Sequence, residues 1–239
     1  IRDVAPSRGL GDVYKRQTRS QVKEYIKKGQ VTVNDQIIKK PETKVNEETD
    51  TVVCQGQPIH YRKYVYYMLN KPEGVVSATN DNTAPTVVSL LTVPEQKDLF
   101  PVGRLDKDTT GLLLLTNDGA LAHDLLSPKK HVDKVYYAKV QGIVDEVDQE
   151  IFAVGMSIGN GETALPSKLE ILYSGEISEI RVTIQEGKFH QVKRMMAAVG
   201  TPVIYLKRIA MGSLTLPDNL KKGDCRPLTD DEVRELRRW

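Results

Sequence analysis

The chain has 239 residues, 39% of them hydrophobic and 28% charged, with a formal net charge of +2. That balance excludes an intrinsically disordered chain, which would hold too little apolar surface to offset the entropy of ordering. No apolar run approaches the roughly 20 residues of a membrane helix, and no signal-peptide pattern opens the chain, so a cytoplasmic protein without a membrane partner is expected. Cys54 and Cys225 are far apart and neither belongs to a CxxC pair, which points away from structural zinc and from a disulfide framework. Charge is unevenly spread. Residues 1–62 hold 12 Lys/Arg against 8 Asp/Glu, and the remainder holds 22 against 24. A net +4 in the small N-terminal part reads equally as a footprint for phosphates or as a solvated helix face.

In chain order, Thr18 to Lys28 predicts a helix, with Thr18 as cap, Val22, Tyr25 and Ile26 on one face and Gly29 as the stop. An alternating strand over Gln30–Asn34, a turn at Asn34-Asp35 and a second strand through Ile37-Ile38 follow. Asp50–Cys54 predicts another strand and Gln55–Pro58 a turn. The polar, basic run Ile59–Lys63 is expected to link two domains. Beyond it, strands are expected over Tyr64–Asn70, Val75–Ser77, Gly111–Thr116, Tyr136–Gln141, Ile180–Gln185, Val203–Ile209 and Ser213–Leu216. Turns are expected at Lys71-Pro72-Glu73-Gly74 and Asn117-Asp118-Gly119. Helices are expected over Ala120–Leu126, Val144–Val154, Gln191–Val199 and Asp230–Arg238. Many strands and few helices, without βαβ alternation, predict an α+β fold with a mixed, largely antiparallel sheet.

The chemistry concentrates in Gly103-Arg104-Leu105-Asp106-Lys107-Asp108-Thr109-Thr110-Gly111, a polar loop between two glycines just before an apolar strand. Catalytic groups are often carried on such loops over a rigid sheet, and a glycine before Arg104 permits unusual backbone angles. By residue type alone, Arg104 and Asp106 read as a surface ion pair in a turn rather than as a site.

In context the segment resembles the signature loop of the pseudouridine synthases that act on ribosomal RNA, the RsuA type. Two further blocks agree and keep the family's order. Lys71-Pro72-Glu73-Gly74 is similar to the first block, a strand ending in Asn-Lys-Pro, and His190-Gln191-Val192-Lys193-Arg194-Met195 is similar to the late Gln-Val-(Arg/Lys)-Arg-Met block. The resemblance runs from about Thr18 to the C-terminus and implies a pseudouridine synthase domain over residues 64–239. It implies isomerisation of uridine through breakage of the N-glycosidic bond, rotation of the base and rejoining at C5, with no metal and no cofactor. Asp106 is then the catalytic carboxylate, acting as nucleophile or base. Tyr136 packs against the target base and Lys193 pairs with Asp106, with Arg194 as the runner-up. Lys193 and Arg194 point in different directions on a helix, so one of them faces Asp106. Arg104 fills the space left by the extruded nucleotide or braces the backbone. His190 and Arg194 contact RNA. Tyr137, on the opposite face of its strand, is expected to be a core aromatic, and Asp108 is expected outside the site.

Residues 18–58 resemble the alpha-L RNA-binding motif, which implies that Arg19, Lys23, Lys27 and Lys28 meet RNA phosphates. Residues 1–17, broken by Pro6, Gly9 and Gly11, depart from the family's start and read as a non-native or incomplete segment, leaving the module incomplete. The late block, followed by Ala197-Ala198-Val199-Gly200, looks most like the small-subunit branch, which modifies the uridine conventionally numbered 516. A monomer working on a small-subunit assembly particle is implied. A large-subunit target is the alternative. From other classes come a non-catalytic rRNA-binding or ribosome-assembly protein, and a metal-dependent nuclease built on Asp106 and Asp108, which lacks a further carboxylate cluster.

Overall fold

The computed structural model describes residues 19–46, 49–59 and 63–239. The segment 1–17, the capping residue Thr18 and part of the linker at 60–62 lie outside the described residues. The chain divides into two compact units, the first of residues up to Lys63 with Val93–Glu95 and the second of Tyr64–Thr92 and Gln96–Trp239.

In the N-terminal unit, helix α1 (Arg19–Lys27) precedes β1 (Val31–Val33), β2 (Gln36–Ile37), β3 (Val52–Cys54) and β4 (Gln57–Ile59), which pair in the order β2-β1-β3-β4. Val22 and Ile26, one helical turn apart, bury against Val31, Val45, Val52 and Cys54. Asn34 and Asp35 both take positive φ, 50° and 65°, the two-residue geometry whose twist matches antiparallel strands. The turn expected over Gln55–Pro58 is shorter. Gln55 and Gly56 make it, and β4 starts at Gln57.

The larger unit contains β5 (Tyr66–Lys71), β6 (Phe100–Pro101), β7 (Thr110–Thr116), α2 (Gly119–Leu126), β8 (Lys134–Gln141) and α3 (Glu146–Val154). It continues with β9 (Met156–Ser157), β10 (Thr163–Ala164), β11 (Lys168–Tyr173), β12 (Ile177–Ile184), α4 (Gln191–Ala198) and β13 (Val203–Met211). It ends with β14 (Leu214–Thr215), β15 (Cys225–Pro227) and α5 (Asp230–Leu236). The main sheet has nine strands in the order β11-β12-β8-β13-β7-β5-β15, with β14 beside β13 and β6 beside β7. The β13–β7 pair is parallel and every other pair antiparallel, giving the mixed, largely antiparallel sheet of an α+β fold.

Burial explains which strands leave a mark in the sequence. All seven residues of β7 are buried, so it appears as the continuous run Leu112–Leu115. Strands β8 and β12 bury alternate residues and show period two. Edge strand β11 is not among the expected strands, because Lys168, Leu172 and Tyr173 stay exposed and the run carries no clean alternation. Val75–Ser77 is not a strand; only Val76 bridges, to Thr86. Asp118 belongs to a helix start rather than a free turn, since its carboxylate accepts from the Leu121 amide 3.2 Å away.

Where β7 begins, Gly111 has φ +102°, and a Cβ there would collide with the Arg208 carbonyl oxygen and lie 2.9 Å from the Arg208 nitrogen. The close parallel approach of β7 and β13 therefore requires glycine. Gly111→Ala is expected to destabilise the fold by at least about 2 kcal/mol through strain and overpacking. Urea denaturation measures it, and a loss below about 0.5 kcal/mol would show that the two strands separate freely.

Candidate active site

The loop from Val102 to Thr109 is held by its backbone, which frees its side chains to project. Its entry is fixed by the Val102 amide donating to the Leu114 carbonyl at 2.8 Å. Gly103 follows with φ +79°, at a point where a Cβ would sit 2.9 Å from Leu126 Cδ2. Buried Leu105 is gripped twice by Ser77, whose Oγ donates to the Leu105 carbonyl at 2.8 Å and accepts from its amide at 3.0 Å. The Thr109 amide closes a turn on the Asp106 carbonyl at 3.1 Å, and the Gly74 amide holds the Lys107 carbonyl at 2.8 Å.

Beneath the loop lies Lys71, fully buried at the end of β5. Its Nζ reaches the carbonyls of Pro72, Asp106, Lys107 and Thr109 at 3.1, 3.0, 3.3 and 2.9 Å. An ammonium has three protons, so four acceptors require at least one shared bond. Burial pushes its pKa down to about 8, despite the opposing attraction of Asp108 and Asp106. The residue stands in the first of the three sequence blocks, but nothing in the sequence marks it as the support of the loop.

Asp106 projects into a cleft lined by Arg104, Tyr136, Ile184, His190 and Leu206, and its side chain is 24% exposed. Lys193 Nζ lies 3.1 Å from Oδ2, and His190 Nε2 lies 3.5 Å from Oδ1. The same Lys193 ammonium donates to Asp108 Oδ1 at 2.6 Å. Asp108, expected outside the site, is thus a member of its charge cluster, although its side chain is 73% exposed. Burial works against the charge on Lys193, but the bonds to Asp108 and Asp106 outweigh it and hold the ammonium above its ordinary pKa. The Lys193 hydrogen bond in turn holds Asp108 below the usual carboxylate range. Arg104 is exposed and makes no ion pair with Asp106, so the surface-pair reading of the loop does not hold.

Helix α4 aims Lys193. Its first residue, Gln191, is buried, with its amide nitrogen on Glu186 at 2.8 Å and its oxygen accepting from the Lys188 amide at 2.9 Å. Burial alone would raise the Glu186 pKa; the Lys188 ammonium and the Leu165 amide outweigh it and keep the carboxylate charged. Arg194 is a correction. The sequence places it at RNA or as an alternative partner of Asp106. Instead its guanidinium is occupied internally, donating to the Ile158 and Gly159 carbonyls at 2.8 Å each, to the Phe189 carbonyl at 3.2 Å and to the Glu162 carboxylate. A single residue's advance along a helix turns a side chain by about 100°, so Lys193 and Arg194 serve different surroundings.

Tyr136 is buried on β8 and faces the cleft, and no partner for its hydroxyl is found among the described residues. Tyr137 does point to the opposite face, but that face is not core. It is half-buried, and the Tyr137 hydroxyl donates to Glu179 at 2.7 Å. In the N-terminal unit, Lys23 and Lys27 are exposed one turn apart on α1, while Lys28 pairs with Glu24 at 2.7 Å. The side chain of Arg19 lies outside the described part of the structure. Among the described residues no cluster of His, Cys, Asp and Glu could hold a metal ion.

Comparison with known proteins decides the family. Residues 65–198 match the RNA pseudouridylate synthase family and residues 14–52 the S4 domain. The chain belongs to the RNA pseudouridylate synthase family. It is 45% identical to the uncharacterized RNA pseudouridine synthase YtzG of Bacillus subtilis, over 92% of each chain. It is 40% identical to the ribosomal small subunit pseudouridine synthase A of Escherichia coli K12, over 88% of this chain and 90% of that one. A crystal structure of a pseudouridylate synthase, 36% identical, superposes with a TM-score of 0.68 over 95% of this chain and 99% of that one.

Lys71 gives a pH signature. The unfolded chain keeps this proton to about 10.5, whereas the folded chain releases it near 8. Between those values the unfolded state binds more protons, so the residue's contribution to stability rises with pH. Comparing urea denaturation of the wild type and Lys71→Met at pH 7.5 and 9.5 should show a smaller gain with pH in the variant. Equal gains would mean that Lys71 titrates as a solvated lysine.

Proposed function

We propose that this pseudouridine synthase isomerises a uridine of small-subunit ribosomal RNA, with Asp106 as the catalytic carboxylate and Tyr136 and Lys193 completing the site. The single observation that carries the assignment of Asp106 is its position, facing the cleft with the Lys193 ammonium 3.1 Å from one carboxylate oxygen. That cation orients the carboxylate that a nucleophile or base must present. The reaction breaks the bond from C1′ of the ribose to N1 of the base and makes one from C1′ to C5. The C5 proton is lost and N1 gains one, so the overall change is an isomerisation.

The neighbouring side chains suit the remaining tasks. Tyr136 offers a ring and an unengaged hydroxyl to the extruded base. Arg104, exposed at the cleft, enters the gap left in the RNA stack. Lys23 and Lys27 of α1 and Lys28 just beyond it, with Arg19, contact phosphates without reading sequence, and His190 contacts RNA at the cleft. The small-subunit target is supported by the relatives in Escherichia coli and Haemophilus influenzae, which bear the name ribosomal small subunit pseudouridine synthase A at 40% and 38% identity. The chain acts as a monomer in the cytoplasm on a small-subunit assembly particle. No helix among the described residues is long and apolar enough to cross a membrane.

Asp106→Ala is expected to lower pseudouridine formation on small-subunit rRNA at least about a thousandfold while RNA binding is largely kept. Retained turnover would refute the catalytic role. Asp108→Asn should cost about tenfold or less, because Lys193 then serves Asp106 alone. Mapping pseudouridines in a deletion strain tests the target. Loss at a large-subunit position with the small-subunit position intact would move the assignment to the large subunit.

A further inference from the structure

The chain has three phenylalanines. Phe152 is fully buried, Phe100 is partly buried, and Phe189 is 75% exposed. A single exposed apolar side chain is ordinary on a protein surface. The setting of this one is not. Its ring lies parallel to the His190 ring, with centroids 3.8 Å apart and planes 17° from each other. His190 lines the cleft, and its Nε2 is 3.5 Å from Asp106. Phe189 therefore forms the next ring layer outward from the carboxylate. One of its faces is covered by His190, and its high exposure leaves the other open to water.

The backbone that carries this pair is braced on several sides. The Lys188 amide is fixed by Gln191, and the Phe189 carbonyl by Arg194, which is tied to residues 158–162. The Lys188 ammonium is held by Glu186 and by the Thr163 carbonyl at 2.7 Å. His190 adopts a left-handed conformation, φ 49° and ψ 33°, which a non-glycine residue keeps only where its surroundings impose it. The segment thus presents a preorganised aromatic face beside a cleft where one nucleotide must be extruded. Extrusion unstacks the bases on both sides of the target; Arg104 can cover one of them, and aromatic side chains satisfy unstacked bases such as the other in RNA recognition.

We propose that the outer face of Phe189 stacks on the nucleobase adjacent to the target uridine, so that His190 and Phe189 form a two-ring shelf at the rim of the cleft. This rests on the reading of the cleft as the site of uridine isomerisation. Phe189 is a positioning residue in this scheme: it sets where the flanking nucleotide lies and so how the target enters.

The test uses the full chain and a small-subunit rRNA fragment containing the target uridine. Conversion of that uridine by the wild type is scored first. Its absence refutes the substrate assignment, and the shelf with it. Binding is then followed in the Asp106→Ala background, with 2-aminopurine placed on either side of the uridine. We expect fluorescence quenching at one flanking position, abolished by Phe189→Ala and Phe189→Leu, with Kd weakened about tenfold. Phe189→Trp should restore both signals. Phe189→Leu keeps apolar bulk without a ring, and so separates stacking from simple packing. Conversion without quenching at either position, or quenching unchanged in Phe189→Leu, would overturn the shelf while leaving the isomerase reading intact.

Discussion

The Lys71 ammonium sits without water contact under the Asp106 loop, and its protons meet the carbonyls of Pro72, Asp106, Lys107 and Thr109. Burying a charge is costly unless it is surrounded by partners, and here the partners are the backbone of the loop itself. That coupling constrains the site from both directions. The loop must keep its shape to solvate the lysine, and the ammonium in turn draws the carbonyls together. A carboxylate on a surface loop would otherwise sample many positions; Asp106 is confined to the one that faces Lys193.

The same economy recurs in the charge cluster around Asp106. Lys193 is shared between Asp106 and Asp108, so the site holds one cation against two carboxylates, with His190 close to the first. Around it, Glu186 gathers Lys188, Gln191 and the Leu165 amide, and Arg194 fastens the rim to residues 158–162. Removing any one of these partners would leave a partly buried polar group unsatisfied, a larger penalty than the bond's own contribution. A rigid rim matters for RNA chemistry, because the energy needed to extrude a nucleotide must be returned by contacts already in position.

Several elements are legible in the sequence itself, and for definable reasons. The fully buried β7 announces itself as Leu112–Leu115, and the half-buried β8 as an alternation through Tyr136, Ala138 and Val140. Edge strand β11 is silent because the successive residues Leu172 and Tyr173 are both exposed, which breaks the alternation. At the site, Asp106, Tyr136 and Lys193 are marked by their resemblance to the family's motifs, and the cleft brings all three into one neighbourhood. Lys71 is visible only as part of a block, since a lysine in sequence gives no sign that it will be buried. Asp108 and Arg194 are misplaced by sequence reasoning for the same cause: their roles depend on where a side chain ends, not on its type.

Local chemistry alone therefore settles which segments form most of the strands and helices, and where glycine permits the turn before Arg104. These depend on neighbours a few residues away, and the chain records them directly. Pairing across the fold is another matter. Lys193 and Asp108 are 85 positions apart, and Thr109 lies 38 from the lysine that supports it. Only the nine-stranded sheet brings those groups within hydrogen-bond reach, because the strand order and the parallel contact of β7 with β13 decide which loop ends meet. The residue types limited what the cleft could do; the tertiary structure chose the cation that faces Asp106 and set Arg194 to brace the rim.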